Sequence, residues 1–355
     1  MNRRMFLRNS AIGMGAMTKV GFNGLPAEDL NAGPSAAPGV GRPVRVASIG
    51  FKGGAVPLEK MASLVDEEGA RGTDVIVLPE LCRGMNDASE EPLHGPTITV
   101  MSGLAKKHKT YVAVPIDRRD GKRRLNSVVF LDRSGLVACV YDKVFPYWEE
   151  YDLRPPMNPG DTVHVHETDF GRVGFATCFD ANFPEVWKGL ADKGAEMVVW
   201  PSAYSAGRSL QAHAINHHYY IVTCSETPDC IVYDITGERI LYEGGSKDVN
   251  VSRTTLDLDR VIFHENFNLT KRDKLLGEHA QDVSQEQWLK LEQWFVLRAA
   301  RPGVSARELA RAYGLEELRH YLDRSRVAID QRRGFEFAEE TVFPSSDVGA
   351  VKGSS

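Results

Sequence analysis

Three side chains of complementary chemistry follow closely on short apolar runs. Glu80 comes just after Thr73-Asp-Val-Ile-Val-Leu78, Lys143 just after Leu136-Val-Ala-Cys-Val-Tyr141, and Cys178 just after Val173-Gly-Phe-Ala-Thr177. Together they supply a base, a cation and a nucleophile. A thiol that attacks an amide carbonyl needs a base for its proton. It also needs positive charge or donors for the oxyanion, and an acid for the departing amine. No histidine stands near any of the three in sequence, which argues against a Cys-His protease arrangement.

The elements that must position these groups can be read around them. Pro79 cannot continue a strand ladder, so Glu80 falls just past the C-terminal end of a buried strand. In open α/β architectures that edge is where ligands bind. Cys178 sits at a strand-to-helix hinge. Asn182 is the expected cap of the following helix, with Glu185 as reciprocal partner and Pro184 in the first turn. A helix N-terminus there favours thiolate over thiol. Taken alone, Cys178 reads equally as a small buried apolar residue.

Alternation and helical spacing give strands at 44–49, 73–78, 110–116, 126–131, 136–141, 195–200, 220–224, 231–233, 239–242 and 251–258. Helices are expected at 57–71, 96–108, 184–193 and 210–219. The order β-α-β-α-β followed by further strands occurs once before Cys178 and once after it. The fold class is therefore α/β, a four-layer α-β-β-α sandwich of two mixed sheets. The aromatic, proline-rich stretch 144–160 is a long loop of the kind that carries function. His164 with His166 and His217 with His218 fall on a strand and at a helix end, so core or surface roles are expected of them rather than metal binding.

A net charge of −5 in 355 residues, with basic and acidic side chains interleaved, excludes an extended nucleic-acid surface. Five cysteines at irregular spacing form no zinc pattern, and the odd count leaves at least one free thiol. At the N-terminus, Arg3-Arg4 precedes an apolar run from Ala11 to Phe22 that is too short and Gly-rich to span a bilayer. It resembles a bacterial twin-arginine export signal, which implies the twin-arginine translocase as a partner and a periplasmic or secreted location. No membrane anchor is expected. The expected organisation is residues 1–42 as signal and Pro/Gly/Ala linker, 43–265 as the catalytic domain, 266–344 as a helical C-terminal extension and 345–355 as a disordered tail. Within the extension, Val283 to Ala300 and Ser305 to Ser325 read as amphipathic helices, the second capped by Ser305 with Glu308 in the reciprocal position. This arm is a candidate contact in a homodimer or larger homo-oligomer.

Leu78-Pro-Glu-Leu81, Tyr141-Asp-Lys143 and Cys178-Phe-Asp-Ala-Asn-Phe-Pro-Glu185, followed by Gly194-Ala-Glu-Met-Val-Val-Trp-Pro-Ser202, resemble the carbon–nitrogen hydrolase (nitrilase) superfamily over roughly residues 43 to 260. The resemblance implies Glu80 as general base and Cys178 as nucleophile. It makes Lys143, with the backbone N–H of Phe179, the oxyanion stabiliser. A second glutamate in the loop after the lysine is common in the family; Glu149 and Glu150 both qualify, and Glu150 is favoured. Asn182 stands where the commonest pattern has arginine, as in aliphatic-amidase-like branches, and the Trp-Glu-Asn of true nitrilases is missing after the cysteine. The implied reaction is hydrolysis of a small amide or N-carbamoyl compound through a thioester, without metal or organic cofactor. Nitrile hydrolysis and a non-catalytic binding role are the alternatives.

Overall fold

The computed structural model describes residues 39–226, 230–243 and 248–334. The export-signal expectation and the tail at 345–355 lie outside them. The first half runs β1 (Pro43–Phe51), α1 (Leu58–Ala70), β2 (Val75–Val77), a two-residue β3 (Glu91–Pro92), α2 (Pro96–His108), β4 (Tyr111–Asp120), β5 (Arg123–Leu131) and β6 (Val137–Asp142). The second runs β7 (Val165–Glu167), β8 (Arg172–Phe175), α3 (Pro184–Asp192), β9 (Met197–Ser202), α4 (Gly207–His217), β10 (Tyr220–Ser225), β11 (Cys230–Tyr233) and β12 (Arg239–Glu243). β13 (Val249–Asp257) closes the core.

Sheet order is β13-β1-β2-β4-β5-β6, with β3 beside β4, in one sheet and β12-β11-β10-β9-β8-β7 in the other. Both mix parallel strands (β1-β2-β4 and β8-β9-β10) with antiparallel ones. β2 shows how the layers arise. Val75 and Val77 join the cluster that packs the two sheets together, whereas Ile76 joins Met61, Val65, Ile98 and Met101 under α1 and α2. A strand apolar on both faces must be covered twice, and the period-2 alternation sends each set of side chains to its own layer. On the far side, α3 and α4 bury Trp187, Leu190, Leu210 and Ala214 against the second sheet. The result is the expected α-β-β-α sandwich.

The two helices of the first outer layer approach closely at Gly69, where an added Cβ would lie 2.6 Å from the His108 ring. β13, read from sequence as part of the second run of strands, instead crosses back to the first sheet. It pairs antiparallel with β1 from Pro43↔Asp257 to Phe51↔Val249.

The C-terminal extension departs from the sequence reading. Residues 283–300 are not a helix but the hairpin β15 (Val283–Leu289) and β16 (Trp294–Ala299). With β14 (Val261–His264) they form a third sheet of order β14-β16-β15, so this unit begins before residue 265. α5 (Leu269–Glu278), α6 (Ala306–Ala312) and α7 (Leu318–Arg333) complete it around a small core of Val261, Phe263, Leu275, Phe295 and Leu297. The apolar, aromatic and β-branched run Trp294-Phe-Val-Leu297 is better placed in a sheet than on a helix face. The expected helix from Ser305 exists as two, separated at Gly314 in the left-handed region (φ 71). The Ser305 cap forms: its Oγ accepts the Glu308 N–H at 3.1 Å.

Candidate active site

The ends of β2, β6 and β8 converge at the rim between the two sheets, and the loop 144–160 folds over them. Lys143 Nζ donates to Glu80 Oε1 at 2.9 Å and to Glu150 Oε2 at 2.6 Å. All three are almost fully buried, as is Cys178 at 8% exposure. Glu150, not Glu149, turns inward: Glu149 is exposed on the short 3-10 turn Trp148–Tyr151, while Glu150 accepts from the Tyr147 N–H. The loop is stitched down by Met157 N–H to Glu150 O at 3.0 Å and Gly160 N–H to Lys143 O at 2.8 Å.

Two carboxylates and one ammonium removed from water are tolerable only if their remaining lone pairs are satisfied. Asn126, on β5, does this. Its Nδ2 donates to Glu80 Oε1 and to Glu150 Oε1, each at 2.8 Å. Glu80 Oε2 accepts the Ala203 N–H at 2.9 Å, from the chain just beyond β9. Asn126 and Ala203 were not singled out in the sequence. The Pro201-Ser202 end of β9 was the only local sign that a fourth strand end reaches the site.

Cys178 opens a 3-10 turn, Cys178–Asn182, and α3 starts only at Pro184. Phe183, not Asn182, is the N-cap of α3, and no side chain caps it. Cys178 itself has φ 46 and Leu81, next to Glu80, has φ 45, left-handed conformations that cost on the order of 1–3 kcal/mol each in non-glycine residues. The turn is held by Asp180. Its fully buried carboxylate accepts Thr177 N–H at 2.8 Å, Phe145 N–H at 2.9 Å and the Tyr141 hydroxyl at 2.6 Å, tying the cysteine turn to the strand and loop around Lys143. Phe179 is the second residue of the turn, where a backbone N–H has no acceptor within the turn. Its ring meets Tyr147 edge-on at 5.4 Å.

The electrostatics correct one expectation. Burial, then the negative charge of Glu80, push the Cys178 thiol well above its ordinary value, and Lys143 offsets this only in part. That direction runs against the thiolate that a helix N-terminus was expected to favour at Cys178. Burial alone would lower Lys143, but Glu80 and Glu150, with Cys178, outweigh it and keep the amine charged. Burial raises Asp180 to about 6 despite its three donors. Burial also lowers His217 and His218, and His218 Nδ1 meets the Ile235 carbonyl at 3.2 Å, a core role. A thiol beside a carboxylate that can take its proton, facing an ammonium, is an arrangement for attack on a polarised carbonyl.

The sequence profile of the carbon-nitrogen hydrolase family matches residues 54–263, more than half of the chain, and the protein belongs to that family. It is 27% identical over 174 residues to a citrullinase of Francisella tularensis, covering 46% of this chain and 61% of that protein. It is 31% identical over 152 residues to the N-carbamoylputrescine amidase of Arabidopsis thaliana, covering 39% and 51%. The chain thus spans between half and two thirds of the length of these relatives. In structure it resembles an amidase of the nitrilase superfamily from Nesterenkonia AN1, with a TM-score of 0.55 and 18% identity over 63% of this chain and 94% of the other. That likeness speaks for the fold alone.

Proposed function

We propose that the protein hydrolyses a non-peptide C–N bond of a small amide or N-carbamoyl compound through a Cys178 thioester. The observation that carries the reading is the buried bridge of Lys143 between Glu80 and Glu150, set beside the Cys178 thiol. Relatives named for citrulline and N-carbamoylputrescine support the carbamoyl side of the substrate class.

The chemistry follows from the donors. Glu80 takes the thiol proton as Sγ bonds to the carbonyl carbon, and the oxygen becomes an oxyanion between Lys143 Nζ and the Phe179 N–H. Collapse breaks the C–N bond as Glu80 returns the proton to the leaving nitrogen, releasing ammonia or an amine. Water then attacks the thioester, giving its proton to Glu80, and the acid leaves as the proton returns to sulfur. Glu150 holds the lysine in place.

Amides, carbamoyl amino acids and nitriles assayed for ammonia test the reading. Turnover of amides or carbamoyl compounds is expected, lost by at least about 10³-fold in Cys178→Ala and Lys143→Ala at unchanged circular dichroism. Full activity in either variant contradicts it. We propose further, from the twin-arginine-like Arg3-Arg4 pattern, that this chemistry takes place outside the cytoplasm. Replacing both arginines by lysine is expected to strand the protein in the cytoplasm of a bacterial host, and its periplasmic recovery would count against export.

A further inference from the structure

Asn182 does not cap α3, and its side chain has other work. Its Nδ2 donates to the Phe179 carbonyl at 3.1 Å and to the Tyr204 hydroxyl oxygen at 3.4 Å. The turn that carries the nucleophile is thereby linked to a phenol on the segment after β9. Tyr204 follows Ala203, whose N–H holds Glu80, so the phenol belongs to the Glu80 side of the site. Its own N–H is fixed on Ser202 Oγ at 3.0 Å, and its ring stands edge-on to the buried Trp200 at 5.5 Å.

The hydroxyl oxygen is the acceptor toward Asn182, which leaves its proton to be given elsewhere. At 37% exposure Tyr204 can be reached by a ligand entering from solvent. Its surroundings are those of the reacting groups: burial raises the phenol above its ordinary value, Glu80 adds to the rise, and Asn182 and Lys143 oppose it. None of the steps above uses this donor. Lys143 and the Phe179 N–H serve the oxyanion, and Glu80 serves the leaving nitrogen. The part of the substrate that these steps leave without a donor is the acyl substituent.

Resting on the hydrolase reading, we infer that the Tyr204 hydroxyl, held by Asn182, donates to an acceptor oxygen on the acyl group of the substrate. It makes the protein selective for amides that carry an ether, hydroxyl or carbonyl oxygen one or two atoms from the scissile carbonyl. A site built to donate to such an oxygen discriminates against the analogue that lacks it, because the donor is then left unpaired.

Methoxyacetamide and butyramide test this, since they match in size and differ only in an oxygen for a methylene. In Tyr204→Phe the ratio of kcat/KM for the ether over the alkyl amide is expected to fall about 10-fold, chiefly through KM. Asn182→Ala is expected to lower the ratio in part, and the double variant no further than Tyr204→Phe alone, because the two act through one hydroxyl. An unchanged ratio, or equal losses on both amides, overturns the inference and leaves the hydrolase reading standing. Calorimetric binding of the same two amides to Cys178→Ala, with and without Tyr204→Phe, decides the question without turnover. If the unaltered protein releases ammonia from no amide, the hydrolase reading fails, while the binding ratio still reports whether Tyr204 recognises the oxygen. A binding ratio that Tyr204→Phe does not move overturns the inference.

Discussion

Glu80 Oε1 receives both Lys143 and Asn126, whereas Oε2 receives the Ala203 backbone N–H. The second oxygen is therefore the one with a lone pair to spare for a proton. Asn126 can be tested as a positioning residue. Asn126→Ala leaves two buried carboxylate oxygens short of a donor and is expected to lower kcat about 10²-fold. Asn126→Asp places a third carboxylate against the other two, and its deficit relative to the natural protein should shrink as the pH falls and the added group protonates. A deficit independent of pH would mean that Asn126 only supports the fold. Asp180 gives a stability signature. Folding raises its pKa from the ordinary 3.8 to about 6, so between these pH values the unfolded chain loses the proton first. Stability from this group is present below about pH 4, declines on the order of 2–3 kcal/mol as the pH rises to about 6, and is flat beyond. Asp180→Asn should remove that slope from urea-unfolding free energies measured across the interval.

The loop 144–160 positions Glu150, and Gly160 closes it. A Cβ there would sit 2.2 Å from the Asp142 carbonyl oxygen, a backbone atom that cannot swing aside. Gly160→Ala is expected to lift the loop and lower kcat/KM at least 10-fold with little change in thermal midpoint, measured by ammonia release and calorimetry. The strand ends that present Glu80, Lys143 and Cys178 were legible because each lies at the close of an apolar run, and Pro79 marks one of them. Local pattern suffices for that. It did not suffice for Asn126, which looks like any polar residue opening a strand, nor for Tyr141 and Phe145, the two donors that reach Asp180 from distant sequence. The β15–β16 hairpin was hidden for a different reason. Its turn, Lys290-Leu-Glu-Gln293, has no glycine or proline, and Gln293 itself takes the left-handed conformation at φ 58. Charged residues around a non-glycine turn read as a continuous amphipathic helix.

At the scale of the whole molecule, the extension is bound to the sandwich through partly buried arginines. Arg319 of α7 donates to Ala191 O at 2.6 Å and Ala195 O at 2.8 Å, at the end of the helix that follows the cysteine turn. Arg260 reaches Asp234 and, at 2.6 Å, Glu286. Arg319→Ala removes a donor from each carbonyl, leaving Ala191 O the Gly194 N–H at 2.9 Å, and should lower unfolding free energy by about 1–3 kcal/mol while keeping kcat within about 2-fold, read from denaturant titration and ammonia release. The other long-range tie is the pairing of β1 with β13, in which Pro43 lies opposite Asp257. During synthesis at about 5–20 residues per second, β1 emerges and then waits roughly ten to forty seconds for the strand that flanks it. Its open edge is exposed to other nascent chains for that time. The yield of soluble protein in a cell is therefore governed at this step by the speed of the ribosome over the intervening message, and slowing or hastening that stretch should change yield without changing the finished protein at all.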